Sequence, residues 1–300
     1  LAYRSGWQSP GTASTWQIGS TNVSDPAPAN SESNAAPKDD SGFEELSSLS
    51  LSNPTRIAAE KEMTCAIISD NTIKCWGKGP EYESQTNSPL PVTVSGVANA
   101  VSISAGENHI CALLSDNTIK CWGLNGGKLG NDSILNSSIP VSVVGISNAN
   151  AVSGGYAHTC ALLSDNTIKC WGDNQYGQLG NGSTTNTSSP VSVIGISNAT
   201  AVIAGNRFTC AILSDGTIQC WGENYYGQLG NGTVIDSYTP VTVSGISTAV
   251  TVTVTPGPFR AGHACALLSD SNVKCWGANL EGELGDGTTT TRLTPVTVQL

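Results

Sequence analysis

The chain is 300 residues long and sparsely charged, with 12% Asp, Glu, Lys and Arg and a formal net charge of −10. Acids outnumber bases 8 to 4 up to residue 62 and 15 to 9 beyond it. A duplex-binding surface needs clustered Lys and Arg to displace counterions, and no such cluster exists here, so chromatin binding is disfavoured and no nucleic-acid partner is expected. No apolar run approaches the roughly 20 residues of a membrane-spanning helix, so no membrane insertion is expected.

The native start is expected upstream of Leu1. Residues 1–53 are rich in Ser, Asn, Pro and Ala and hold little that could form a core, which reads as a low-complexity, disordered linker. From residue 54 to 300 the chain is repetitive. The segment Cys160-Ala-Leu-Leu-Ser-Asp-Asn-Thr-Ile-Lys-Cys170-Trp171-Gly172 recurs with starts at Cys65, Cys111, Cys210 and Cys265. The starts lie 46, 49, 50 and 55 residues apart, a blade-sized β period. Within each copy two β-prone runs flank Ser-Asp-Asn, the composition of a tight hairpin. The residue after the Asp is Asn71, Asn117, Asn166, Gly216 or Ser271. Asn and Gly enter the left-handed region at least cost, so the hairpin loop suits four copies better than the one with Ser271.

Two further strands complete each unit. One is Pro-Val-x-Val at 91–94, 140–143, 190–193, 240–243 and 295–298, and the other is a small-apolar run such as Ala201-Val202-Ile203-Ala204-Gly205. Four short strands per period without helical periodicity predict an all-β propeller of five four-stranded blades. The repeats are bounded at roughly 54–88, 89–139, 140–189, 190–239 and 240–294. The first copy lacks a preceding Pro-Val-x-Val strand, so 295–298 is expected to close the ring by completing the first blade. The same tally also fits a stretch of a longer, seven-bladed ring. An insertion at 252–260 is expected to form a loop. Trp76, Trp122, Trp171, Trp221 and Trp276, one per repeat, are expected to pack between blades.

A loop centred on the Asp places Cys160 opposite Cys170, at a separation a disulfide can span. The same holds for Cys65 with Cys75, Cys111 with Cys121, Cys210 with Cys220 and Cys265 with Cys275. Zinc would want cysteines two to four apart or added histidines, and reduced core residues are the remaining alternative. Five bridges point to an oxidising compartment: extracellular or cell-surface, with the periplasm as a variant.

The combination Ala105-Gly106-x-x-His109-x-Cys111, Trp171-Gly172 and Gly177-Gln178-Leu179-Gly180 resembles the repeat of the regulator of chromosome condensation (RCC1) family, over residues 54 to 300. The resemblance implies a β-propeller, usually of seven blades, and a guanine-nucleotide exchange factor for a small GTPase as one activity. It also implies a structural hydrogen-bonding role for His109, His158 and His263. The cysteine pairs depart from the common family pattern.

No nucleophile elbow, zinc-protease motif or phosphate loop is present, and the hairpin aspartates recur once per blade as turn formers. Neither catalysis nor a metal or cofactor is expected. Variation between copies is where binding specificity would lie. Glu107, Asn108, Tyr156, Asn206, Arg207 and Phe208, on the loops preceding the first cysteines, and Tyr176 and Tyr226, after Trp-Gly, are the candidate contacts on one propeller face. Aromatic and Arg anchors of this kind suit a protein partner, and exposed Tyr leaves a carbohydrate-binding or polysaccharide-acting propeller as a further alternative.

Overall fold

The computed structural model describes residues 54–60, 62–78, 88–255 and 262–300. The linker reading of residues 1–53, most of the divergent segment after Gly77 and the tip of the insertion fall outside them. The described residues form five four-stranded antiparallel sheets. The first blade holds β1 (Pro54–Glu60), β2 (Met63–Ile68), β3 (Ile73–Gly77) and β4 (Ser88–Thr93). The second holds β5 (Ala100–Gly106), β6 (His109–Leu114), β7 (Ile119–Gly123) and β8 (Ser137–Ser142). The third holds β9 (Ala149–Gly154), β10 (His158–Leu163), β11 (Ile168–Gly172) and β12 (Thr187–Ser192). The fourth holds β13 (Ala199–Ala204), β14 (Phe208–Leu213), β15 (Ile218–Gly222) and β16 (Ser237–Thr242). The fifth holds β17 (Ala249–Val254), β18 (His263–Leu268), β19 (Val273–Gly277) and β20 (Arg292–Thr297).

Every blade is complete within its own stretch of chain, which corrects the expected closure. β20 pairs with β19, Cys275 opposite Val296, and finishes the fifth blade instead of the first. Each Pro-Val-x-Val strand belongs to the blade before it, as Cys75 opposite Val92 shows for the first. The expected repeat boundaries shift with it: the first sheet ends at Thr93, not at 88, and 295–298 is no separate closing strand. The physical reason is that consecutive strands tend to be neighbours in space, so the strand folds back antiparallel on the one before it even across a loop of ten residues or more. The expected inserted loop at 252–260 is corrected at its start, since Val252 to Val254 form the second half of β17, a strand of six residues like β9 and β13.

The hairpin turn explains the Asp of each repeat. In the third blade, Asp165 Oδ1 accepts from the Thr167 amide at 3.1 Å and from its hydroxyl at 2.6 Å, fastening the loop. These bonds hold the carboxyl below its usual pKa. The next residue takes positive φ in every copy, from 61° at Asn71 to 77° at Gly216, and Ser271 at 69° adopts it too. The loop places Cys160 directly opposite Cys170, and all five bridges form, with Cα atoms 4.0–4.1 Å apart. That spacing marks non-hydrogen-bonded pairs, where opposing side chains stand closest. Each ring is short, so replacing one pair, Cys160→Ala with Cys170→Ala, is expected to lower stability by about 2–3 kcal/mol in denaturant titration. An unchanged midpoint would mean the bridge adds nothing to the hairpin.

Four apolar cores fill the four interfaces between successive blades. One joins Met63, Cys65 and Ile73 to Ile110 and Trp122, and the next joins Cys111 and Ile119 to Val152 and Trp171. The others join Cys160 and Ile168 to Ala211 and Trp221, and Cys210 and Ile218 to Ala266 and Trp276. The first strands pack on one another in sequence, β1 on β5, β5 on β9, β9 on β13 and β13 on β17. No comparable packing joins the fifth blade to the first among the described residues. In the last three blades, Trp171, Trp221 and Trp276 are wholly buried and donate their indole N–H to the carbonyls of Lys128, Gln178 and Gln228 of the preceding blade, each at 2.9 Å.

The histidines complete this clasp. His109 Nε2 meets Thr159 Oγ1 and His158 Nε2 meets Thr209 Oγ1, both at 2.8 Å across an interface. The threonine hydroxyls in turn donate to the carbonyls of Lys128 and Gln178, the same oxygens that take the indoles. Each hydroxyl therefore accepts from Nε2–H, which fixes the neutral tautomer. Burial pushes both imidazoles down to about 3.

Candidate binding face

Two loops of each blade meet at one end of the strands: the bend between its first and second strands and the segment leaving its third. Backbone bonds tie them together, from Leu124 N–H to the Asn108 carbonyl at 2.7 Å, Asp173 to Ala157 at 2.9 Å and Glu223 to Arg207 at 2.9 Å. The hairpin aspartates occupy the opposite end of the same strands. The bends are also stitched from blade to blade. Glu107 donates its N–H to Gly155, Tyr156 to Gly205 and Asn206 to Thr255, at 2.9–3.1 Å. Glycine is required there: a Cβ on Gly155 would stand 2.5 Å from the Gly205 carbonyl.

This stitching sorts the candidate residues. Glu107, Asn108 and Tyr156 are half-buried, with Asn108 at φ 60° and the Glu107 carbonyl accepting from Lys128 Nζ at 2.7 Å. Asn206 is only 3% exposed and Phe208 only 1%. Phe208 lies in the core between the fourth and fifth blades, at the position of the clasp histidines, so its expected contact with a partner is corrected to a packing role. Asn206 is likewise turned inward by the bend and offers a partner almost no surface.

What the structure brings together is Tyr176, Arg207 and Glu223. The Arg207 guanidinium lies 4.8 Å from the Tyr176 ring centre and donates to its hydroxyl at 3.3 Å. It also sits 3.6 Å from the Glu223 carboxylate, whose side chain is 7% exposed. Stacking on the ring is worth about 0.5–2 kcal/mol and holds a flexible side chain in one orientation. Gln178 supports the arrangement from below, accepting from the Tyr176 amide and donating to Asp173 Oδ2 at 2.8 Å. In the next blade Tyr226 is half-buried and meets the 70% exposed Tyr225 edge to face, ring centres 4.9 Å apart. These loops thus present three tyrosines and a steered guanidinium, residue types common at protein contacts. Glu223 was not among the expected residues. Its signal was the varied position after Trp-Gly, which holds Leu124, Asp173, Glu223 and Ala278 in the later copies. Among the described residues, no group of three or more His, Cys, Asp and Glu converges as a metal site, and no helix is long and apolar enough to cross a membrane.

Repeated four-stranded sheets, packed through Trp clasps and presenting varied loops at one end, define a β-propeller scaffold. The sequence pattern of the RCC1-like domain matches residues 8–300, and the chain belongs to the RCC1-like family. Among solved structures, Prp20p from Saccharomyces cerevisiae superposes with a TM-score of 0.71 at 19% identity, over 82% of this chain and 63% of that one. Yeast RCC1 (Prp20) bound to Kap60 gives 0.69 at 19% identity, over 82% and 61%. Human WBSCR16 gives 0.68 at 18% identity, over 81% and 66%. The chain thus spans under two thirds of the length of the Prp20 chains, and at these identities the likeness concerns the fold. No curated protein matches the chain.

Proposed function

We propose that this chain is a protein-binding propeller of an oxidising, extracellular or cell-surface compartment, acting without catalysis, with its contact surface at the Trp-Gly end around Tyr176, Arg207 and Tyr226. The observation that carries the reading is the guanidinium of Arg207 held between the Tyr176 ring and Glu223 at the rim of an otherwise rigid scaffold. Protein partners are in keeping with the solved relatives, one described by its binding to Gsp1p and histones and another bound to Kap60. Five disulfides support the compartment.

The test uses protein recovered from its native source. Ten thiols that alkylate only after reduction, read by intact mass, are the expected result. A photo-cross-linking side chain at position 176 is expected to capture a protein partner there, and one at Ser214, at the hairpin end, to capture none. Free thiols in the native protein would instead favour a regulator of a cytosolic small GTPase, measured as faster nucleotide release. Equal capture at both positions would move the contact surface off this end.

A further inference from the structure

One buried residue shapes the loop after Trp-Gly in the same way in the third and fourth blades. Asn174 and Asn224 are both 0% exposed. Each accepts a leucine amide on Oδ1, from Leu179 at 3.0 Å and from Leu229 at 2.9 Å. Asn174 Nδ2 donates to the Ser183 and Thr185 carbonyls at 2.9 and 3.1 Å, and Asn224 Nδ2 to those of Thr233 and Ile235, both at 3.0 Å. The backbone amides complete the rivet, Asn174 on Asn186 Oδ1 and Asn224 on Asp236 Oδ1, each at 2.8 Å. A buried amide bonded at both ends holds its loop in one shape, whatever side chains the loop carries outside.

The two loops differ in what they hold outward. In the third blade the residues beside the rivet are Gln175, Thr184 and Thr185, all exposed and polar. In the fourth they are Tyr225, Val234 and Ile235, 70%, 53% and 73% exposed. The third blade shows that the fold asks for no apolar residue at these places, so the three in the fourth serve a contact outside the chain. The second blade carries Ile134 and Leu135 at the last two places, but Gly126 at the first and no tyrosine in its loop. The fourth-blade tip also continues the surface described above. Tyr225 meets Tyr226 edge to face, and Glu223, two residues before Tyr225, backs the guanidinium that lies on Tyr176.

We propose that Tyr225, Val234 and Ile235 anchor a protein segment whose apolar side chains are flanked by Lys or Arg. This rests on the reading of the Trp-Gly end as the protein-binding face and names the chemistry of its partner. Charge selects the occupant. At this end the loops of the second, third and fourth blades hold the acids Glu107, Asp132, Asp173, Glu223 and Asp236 against two bases, Lys128 and Arg207. Lys128 is buried on the Glu107 carbonyl at 2.7 Å, and Arg207 is held by Tyr176 and Glu223. Both bases turn to the chain itself, so the acids set the sign of the surface. Such a surface steers in a basic segment and repels an acidic one or an anionic membrane. The seat of Arg207 on the Tyr176 ring shows within the chain how this face holds a guanidinium.

Panning the immobilised, oxidised chain against a library of short random peptides tests this. The expected result is enrichment of sequences with Lys or Arg beside aliphatic or aromatic residues, bound less tightly as salt is raised. Tyr225→Ser and Ile235→Ser are each expected to weaken binding of the selected peptides by about tenfold or more, with the urea midpoint unchanged. Leu135→Ser, at an equally exposed place on the second blade, is expected to leave them bound, which general stickiness would not allow. Neutral or acidic selections, no selection at all, or binding indifferent to Tyr225→Ser and Ile235→Ser overturns the proposal. Binding to vesicles of a zwitterionic lipid that is lost on the same two changes, with no peptide selected, would assign the tip to a membrane and equally overturn it. Undiminished cross-linking of a protein through position 176 in the Ile235→Ser variant would overturn this proposal alone and leave the Trp-Gly end as the contact surface. Absence of that capture in the parent chain would overturn both.

Discussion

Trp221→Ala is expected to lower stability by about 3–5 kcal/mol and to split one denaturation transition into two. The indole is wholly buried in the core between the third and fourth blades. Its removal leaves a cavity against Gly180, whose absent Cβ would stand 2.7 Å from Nε1. The Gln178 carbonyl keeps its bond from Thr209, so the loss is mainly packing. Because each blade touches only its neighbours, a weakened interface uncouples the blades on either side without disturbing the others. Trp76→Ala is expected to cost far less, since that ring is only half covered. Equal costs at the two positions in urea titration, with one transition retained, would contradict this account.

Acidification is expected to destabilise the oxidised chain well before its carboxylates titrate. His109 and His158 fall from 6.5 to about 3 because burial disfavours the imidazolium. Between those values the unfolded chain takes up protons that the folded one refuses, so stability is complete above about pH 6.5 and is lost as pH falls toward 3. The slope is about 1.4 kcal/mol per pH unit for each histidine. His263 is lowered in the same direction, again chiefly by burial. The hairpin aspartates are lowered by hydrogen bonds from Thr, so their contribution is present above 3.8 and is lost only below it. The interval from pH 6 to 5 therefore belongs to the histidines. Urea midpoints at pH 7 and pH 5 should differ, and His158→Phe with Thr209→Ala should clearly reduce the difference without abolishing it, since His109 and His263 still contribute. Identical midpoints in the parent chain would refute the buried neutral assignment.

The hairpins were legible because their determinants are local: an Asp that bonds two residues on, a residue tolerant of positive φ, and cysteines that this turn places face to face. The fourth strand was not, since Pro-Val-x-Val pairs across a loop of ten residues or more and nothing in its own sequence says which sheet it joins. Tyr176 and Arg207 stood out as bulky residues at varied positions, yet their stacking across two blades depends on a distance no single repeat encodes. Asn206 and Phe208 were misread for a related reason, because a bend after Gly205 does not reveal which of three successive side chains turns inward. The His–Thr pairing was written in the repeats throughout, in a residue beside each first cysteine, and shows itself only when one repeat is compared with the next.

Every bridge lies inside a single hairpin, and none ties one blade to another. During synthesis, the second cysteine of a pair follows the first by ten residues. Its correct partner is thus the nearest thiol in the chain when it emerges, and closing so short a loop carries little entropic cost. Ten cysteines distributed this way can oxidise in order, one pair at a time, with no need for later shuffling by an isomerase. The repeat that builds the scaffold also makes its oxidative folding nearly free of wrong pairings.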